Sequence, residues 1–289
     1  MAETTNTSGD PIRVGIVGLG LAGRSASQEI VKSPFVHLEA VCDLNETTAV
    51  QVASAMGARA YTEFEHMCSD PAIEAIFVST PTHLRLRHIA MAVEHGKHVM
   101  SEKPLARNSD DARKIAEQVA ATDCVLTAVN TRGRDAVVQA MAKLVGSSKY
   151  GTVLGVTNVM YKPWLLSPRY DYEMDPDLGG GVNFRQAPHQ VEIARTIIDD
   201  EVSSVSATVG HVDSPVAAYG NFNALIRFRS GAAASLIFNG YGYFDTSELT
   251  WGVGEGGRER VPGENIERRR RESWKQVKYA ASPPVRPSQ

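Results

Sequence analysis

The sequence predicts an α/β protein of two domains: a doubly wound parallel sheet, followed by an α+β domain whose sheet is largely antiparallel. Three observations lead there. From Pro11 to about Val129 short apolar runs alternate with amphipathic segments, the pattern of a parallel sheet covered by helices. After Val129 strands follow one another with a single long helix between them, and Ser230-Gly231 joins two of them as a hairpin turn. The length of 289 residues suits about two domains.

Taken in order, the strands of the first domain are expected at Ile12-Val17, Leu38-Cys42, Ala75-Ser79, His98-Ser101 and Val125-Val129. Helices are expected near Ala22-Lys32, Thr47-Met56, Leu84-His95 and Ser109-Thr122. Ser109 is read as the cap of the last helix, with Asp110 and Asp111 as its first-turn acids. A helix near Asp135-Val145 opens the second domain. Strands at Val153-Tyr161, Val202-Val212, Asn223-Arg229, Ala232-Phe238 and Ser247-Val253 follow, with one helix from Val182 to Ile198. The domains are therefore placed at 11–129 and 130–262. Residues 1–10 lack an apolar h-region after a basic start and read as a disordered leader. Residues 263–289 hold the charge run Glu267 to Glu272 and a Pro-rich tail, read as solvated and extended.

The run Val14-Gly15-Ile16-Val17-Gly18-Leu19-Gly20-Leu21-Ala22-Gly23 lies where the first strand turns into the first helix. Gly18 permits the tight turn, Gly20 lets backbone approach a pyrophosphate, and Gly23 allows close packing of helix on strand. The helix starting at Leu21 and Ala22 turns its N–H groups and positive dipole end toward the phosphates. Asp43 follows Gly23 by about the twenty residues expected of a carboxylate that accepts the ribose hydroxyls. The first domain thus reads as a Rossmann dinucleotide-binding domain, with NAD favoured because Asp43 would repel the 2'-phosphate of NADP.

Bulk properties narrow the partners. A net charge of -3 argues against nucleic acid, whose phosphates need clustered Lys and Arg. No apolar run is long enough to span a bilayer, so neither membrane nor nucleic acid is expected, and the location is read as cytoplasmic. Cys42, Cys68 and Cys124 are widely spaced without a CxxC pair, which indicates neither a zinc site nor a disulfide framework. Cys42 reads as a core thiol, and no metal is expected.

Glu102-Lys103-Pro104, at the end of the strand His98-Ser101, resembles the hallmark of the glucose-fructose oxidoreductase and inositol dehydrogenase (Gfo/Idh/MocA) family. Ser79-Thr80-Pro81-Thr82-His83 is similar to the family's segment beside the nicotinamide, and the resemblance runs from Ile12 to about Val253. It implies an NAD(P)-dependent dehydrogenase in which Ser79, Thr80, Pro81 and His83 line the cofactor, and Glu102 and Lys103 meet cofactor and substrate. It also implies that the proline is preceded by a cis peptide. Chemically, a strand end in a parallel sheet faces the ligand crevice, and a lysine there can hydrogen-bond a reacting hydroxyl and share its proton.

In the second domain the family carries a glycine-rich turn, then an Asp and a His one helical turn apart. Here Gly179-Gly180-Gly181 leads to Arg185 at the Asp position and His189 at the His position. Four residues on one helix put both side chains on one face. A guanidinium is no base, but it grips a carboxylate in bidentate fashion. Arg185 is therefore expected to anchor an acidic substrate, with Gln186 beside it and Lys103 and His189 as catalytic, proton-handling groups. A salt bridge from Arg185 to Glu192 or Asp175 is the structural alternative. Arg132, Arg134 and Arg169 read as surface residues able to add charge. Gln186, His189, Gln190 and Val191, with Gly240-Tyr241-Gly242-Tyr243-Phe244-Asp245, also resemble the phthalate cis-dihydrodiol dehydrogenase branch of the family.

The resemblance implies hydride transfer between NAD and a small hydroxylated substrate, a carboxylated cis-dihydrodiol or hydroxy acid; the strand-rich second domain with its exposed sheet suggests a homo-oligomer formed through that sheet. Two other readings stay open: a non-catalytic NAD-binding protein, and a redox-neutral member that uses NAD transiently. Family members extend several tens of residues further, so Trp274-Tyr279 resembles a mid-domain segment and the C-terminus reads as a truncated domain end.

Overall fold

The computed structural model describes residues 9–167, 169–210, 218–254, 257–261, 263, 264 and 267. Residues 1–8 of the leader expected at 1–10, the charge run after Glu267, the segment Trp274-Tyr279 and the Pro-rich tail lie outside them. The chain divides into two compact units, Met1–Val129 and Asn130–Gln289.

The first unit runs β1 (Ile12–Val17), α1 (Leu21–Ile30), β2 (Val36–Cys42), α2 (Glu46–Met56), β3 (Arg59–Tyr61), α3 (Phe64–Cys68), β4 (Ala75–Val78), α4 (Thr82–Glu94), β5 (His98–Glu102), α5 (Ser109–Ala120) and β6 (Leu126–Val129). Its sheet has the order β3-β2-β1-β4-β5-β6, every pair parallel. Strand alternation sorts the core onto two faces. Val17, Ile76, Val78 and Val99 pack with Ile89, Ala92 and Ile115 of α4 and α5. Ile16, Leu38, Val41 and Phe77 pack on the other face with Ala53 of α2. Because β2 and β4 flank β1, chain connections leave β1 on opposite sides, and the crevice beyond its C-terminal end is where such sheets bind ligands.

The second unit runs α6 (Ala136–Gly146), β7 (Gly155–Tyr161), α7 (Asp171–Met174), α8 (Val182–Arg185), α9 (Ala187–Ile198), β8 (Val202–Gly210), β9 (Asn221–Phe228) and β10 (Ala233–Asn239), with short 3-10 turns between. Its sheet has the order β7-β10-β9-β8. Two pairs are antiparallel and β10 with β7 is parallel. Phe222, Ile226, Leu236 and Phe238 form the inner face, against Ala194 of α9 and Trp164.

Three local expectations are corrected, and two short elements were not anticipated. The cap of α5 is Asn108, whose side chain accepts from Asp111 N–H at 2.8 Å, not Ser109. The strand expected at Ser247-Val253 is a 3-10 turn, Thr246–Thr250, opened by Asp245 accepting from Ser247 and ended by Trp251 and Gly252 at positive φ. The helix expected from Val182 to Ile198 is two helices parted at Gln186 (φ −121°, ψ −36°). Pro188 explains the break, since in one continuous helix its ring would meet the carbonyl four residues back and its N–H would be missing. β3 and α3, of three and five residues, are too short to show a period.

Candidate functional site

The glycine turn is shaped by its backbone. Gly18 sits at φ +87°, and a Cβ on Gly23 would overlap the Gly18 carbonyl, so no side chain fits between α1 and the turn. Asp43, just past β2, accepts from Leu19 N–H at 2.8 Å through Oδ2 and from Asn45 N–H at 2.9 Å through Oδ1. It braces the turn with lone pairs left for ribose hydroxyls. Arg24, which the motif does not specify, donates to the Leu19 carbonyl at 2.8 Å from the other side. Capped by Gly20 without a side-chain bond, α1 has no acid in its first turn, whereas α2 and α5 carry Glu46 and Asp110 with Asp111 there. Its N–H groups and dipole are thus left for an anionic ligand. A glycine cradle, an acid-free helix start and a carboxylate at the neighbouring strand end fit NAD.

Ser79 donates to the Gly18 carbonyl at 2.5 Å and so holds the turn from β4. Thr80 is 7% exposed and bonds its hydroxyl to His88 Nδ1 at 2.9 Å. Burial, with help from Arg87 and His83, pushes His88 down to about 4, so at neutral pH it is an uncharged partner for Thr80. His83, near the start of α4, is also held below the usual histidine range by burial and by Arg107. Pro81 precedes α4. At the end of β5, Lys103 N–H donates to the Glu102 carboxylate at 3.1 Å, and Lys103-Pro104 is cis.

One residue that motif reading overlooked ties these segments together. Arg85 on α4 is 3% exposed and donates to the carbonyls of Thr80 (3.0 Å), Glu102 (2.6 Å) and Pro104. A guanidinium has enough rigid donors for this, and here they hold the β4 end and the Glu102-Lys103-Pro104 turn in one register. The only sequence signal is a basic residue on what should be the buried face of a helix.

In the second unit, a cavity of about 170 Å³ has Met160 and Phe238 as apolar wall and Arg132, Asn158, Gln186 and His189 among its polar lining. Gln190, 3% exposed, also lines it and donates to Asn158 Oδ1 at 2.8 Å and the Ile237 carbonyl at 3.1 Å. Its Oε1 is buried without a hydrogen-bond partner among the described residues.

Arg185 has a carboxylate partner within the protein: the expected single helix is interrupted at Gln186, and Arg185 Nη2 lies 2.8 Å from Glu173 Oε1. Glu173 is 7% exposed and also accepts from Tyr170 N–H at 3.2 Å. The Arg185 guanidinium neutralises this buried carboxylate. Not all the neighbouring arginines are surface groups: Arg132 lines the cavity and pairs with Asp135 at 3.2 Å, and Arg169 stacks on Trp164 at 4.2 Å.

Lys162, just past β7, is a further residue that sequence reading missed. Burial, and after it Arg132, Arg260 and Arg169, push it down to about 8 against the upward pull of Asp245. Among the described residues no His, Cys, Asp and Glu cluster could hold a metal ion, and no helix is long and apolar enough to cross a membrane.

Residues 12–130 match the model of an oxidoreductase family with an NAD-binding Rossmann fold, and residues 138–257 match that of the GFO/IDH/MocA C-terminal domain. A curated relative, 1-carboxy-3-chloro-3,4-dihydroxycyclohexa-1,5-diene dehydrogenase of Comamonas testosteroni, is 30% identical over 245 residues, 84% of this chain and 62% of the relative. Myo-inositol 2-dehydrogenase of Thermotoga maritima is 26% identical over 228 residues, 76% of this chain and 66% of the relative. A crystal structure from Bordetella bronchiseptica RB50, assigned as a dehydrogenase, has a TM-score of 0.81 and 30% identity, covering 90% of this chain and 69% of that one. The chain therefore spans just under two thirds of the length of these curated relatives.

Proposed function

The chain belongs to the Gfo/Idh/MocA oxidoreductase family, and from that premise we propose that it is an NAD-dependent dehydrogenase acting on a hydroxylated, carboxylated small molecule. A cis-dihydrodiol of a carboxycyclohexadiene suits it better than a simple hydroxy acid. The observation that carries the activity is the convergence, within the first unit, of the Gly18 turn, the acid-free start of α1, Asp43 and the clamped Glu102-Lys103 end of β5. The dihydrodiol preference rests on the substrate in the name of the Comamonas testosteroni relative, and the preference for NAD on the charge of Asp43.

The chemistry a bound NAD supplies is acceptance of hydride from the carbinol carbon. Lys103 Nζ takes the hydroxyl proton as that carbon becomes a carbonyl, and His189 is proposed as the proton-handling group of the second unit. Gln190 Oε1 offers an acceptor to a substrate hydroxyl, which would pair a buried atom. For a dihydrodiol, the ketone formed tautomerises to a catechol, and the gain of aromaticity drives oxidation forward.

The test is NADH formation against carboxylated cis-dihydrodiols, hydroxy acids and inositols. Turnover of the carboxylated dihydrodiol, with Lys103→Ala lowering kcat about a hundredfold or more and leaving NAD affinity intact, is the expected result. Faster turnover of uncharged polyols would discard the acidic substrate class. NAD retained through purification without net NADH would favour redox-neutral use of the cofactor. The same proposal includes a homo-oligomer formed through the second sheet, where Val205 and Val209 of β8 lie exposed; sedimentation over a range of concentrations tests it.

A further inference from the structure

We infer that Arg132 and Lys162, not Arg185, form the carboxylate-binding arm of the substrate site in the second unit. The inference rests on the proposed carboxylated substrate and names the groups that would recognise it.

The placement follows from strand geometry. Asn158 and Met160 of β7 line the cavity that also holds His189, and side chains two residues apart leave an extended strand on the same face. The backbone stays extended one step beyond β7, because Lys162 N–H donates to the Asn239 carbonyl at 2.9 Å, carrying on the pairing with β10 that ends at Tyr161 and Asn239. Lys162 therefore leaves on the side of Asn158 and Met160, whose cavity Arg132 of the 3-10 turn Arg132–Arg134 also lines, and Arg132 acts on Lys162.

Charge points the same way. Arg132, Arg169 and Arg260 all act on Lys162 and make its charged form harder to hold, opposed by Asp245. Each arginine has a carboxylate near it: Asp135 at 3.2 Å from Arg132, Glu173 at 4.0 Å from Arg169, and Asp245 and Glu264 at 3.7 and 3.5 Å from Arg260. Burial above all, and these guanidinium groups after it, make the charge of Lys162 harder to hold, and an added anion would stabilise it. A carboxylate seated between Arg132 and Lys162 supplies that anion, and Arg132 presents the planar donors that suit it. The ring of such a substrate would lie against Met160 and Phe238, with its hydroxyls toward His189 and Gln190.

The experiment compares binding of 3,4-dihydroxybenzoate, an oxidised-product analogue, with that of catechol by calorimetry, using the full chain with NADH. The parent should bind the acid at least tenfold more tightly. Arg132→Gln and Lys162→Met should each remove most of that preference and leave catechol affinity within about threefold. Arg132→Lys and Lys162→Arg, which keep the charge, should restore part of it. Preference surviving both neutral variants, or equal loss of both ligands, overturns the inference. If the parent prefers the acid through these two residues yet forms no NADH from any diol, the anchor stands and the dehydrogenase reading fails. If dihydrodiol turnover is normal in both neutral variants, the dehydrogenase stands and the anchor fails.

Discussion

Replacing Arg85 with alanine should loosen both strand ends that carry the proposed nicotinamide-side residues. The substitution withdraws donors from the carbonyls of Thr80, Glu102 and Pro104 at once. A hydrogen bond to a charged donor contributes about 1.5–3 kcal/mol, and a buried acceptor left unpaired costs about 1–3 kcal/mol. These do not add in full, because water enters the vacated volume and the segments relax. About 3–5 kcal/mol is expected, the scale for breaking a buried charged network. Arg85→Lys keeps the charge but lacks the planar fork needed to reach three acceptors, so it should fall between alanine and parent. Trp164, Trp251 and Trp274 all follow Val129, so a readout within the first unit is more direct. Amide hydrogen exchange of β4 and β5 under mild urea is the suitable assay. A stability loss below about 0.5 kcal/mol, the range of ordinary surface changes, would refute the clamp.

Asp43→Ala should narrow the preference for NAD over NADP at least tenfold, measured as the ratio of dissociation constants; the ratio matters because the loss of the Leu19 N–H acceptor weakens both cofactors. Equal affinities in the parent would contradict the assignment. His88 lies below its ordinary value of 6.5, at about 4, so it stabilises the fold fully above pH 6.5 and this contribution is lost as pH falls through 4. That difference corresponds to on the order of 3 kcal/mol, and His88→Gln should flatten the acid limb of a urea-midpoint profile; superposable limbs would refute it. Burial first, and then nearby charges, push Cys42 and Cys68 up to about 12. Both should resist Ellman's reagent at pH 8 until the chain unfolds, and prompt labelling of either would show that the thiols are not so buried.

Residues whose role depends on local backbone were legible in sequence. Gly18 and Gly23 act through the absence of a side chain within one turn, and β1 announces itself by a buried apolar run, so strand, turn and helix start follow from near neighbours. His98 to Glu102 belongs to the same class, whereas the cis proline after Lys103 was expected from the family resemblance. Phase was less legible: Pro188 lies in plain view, yet an unbroken helix was the simpler period, and only the structure shows the break at Gln186 and Glu173 beside Arg185. Arg85 meets carbonyls 5, 17 and 19 residues away, and Lys162 feels Arg132 and Arg260 from opposite directions along the chain. Sequence by itself determined the conformations that each residue's own backbone permits. Tertiary structure decided which charge meets which, because an ion pair or a buried hydrogen bond is set by distance in space, and distance in space between remote residues exists only after the sheets have packed.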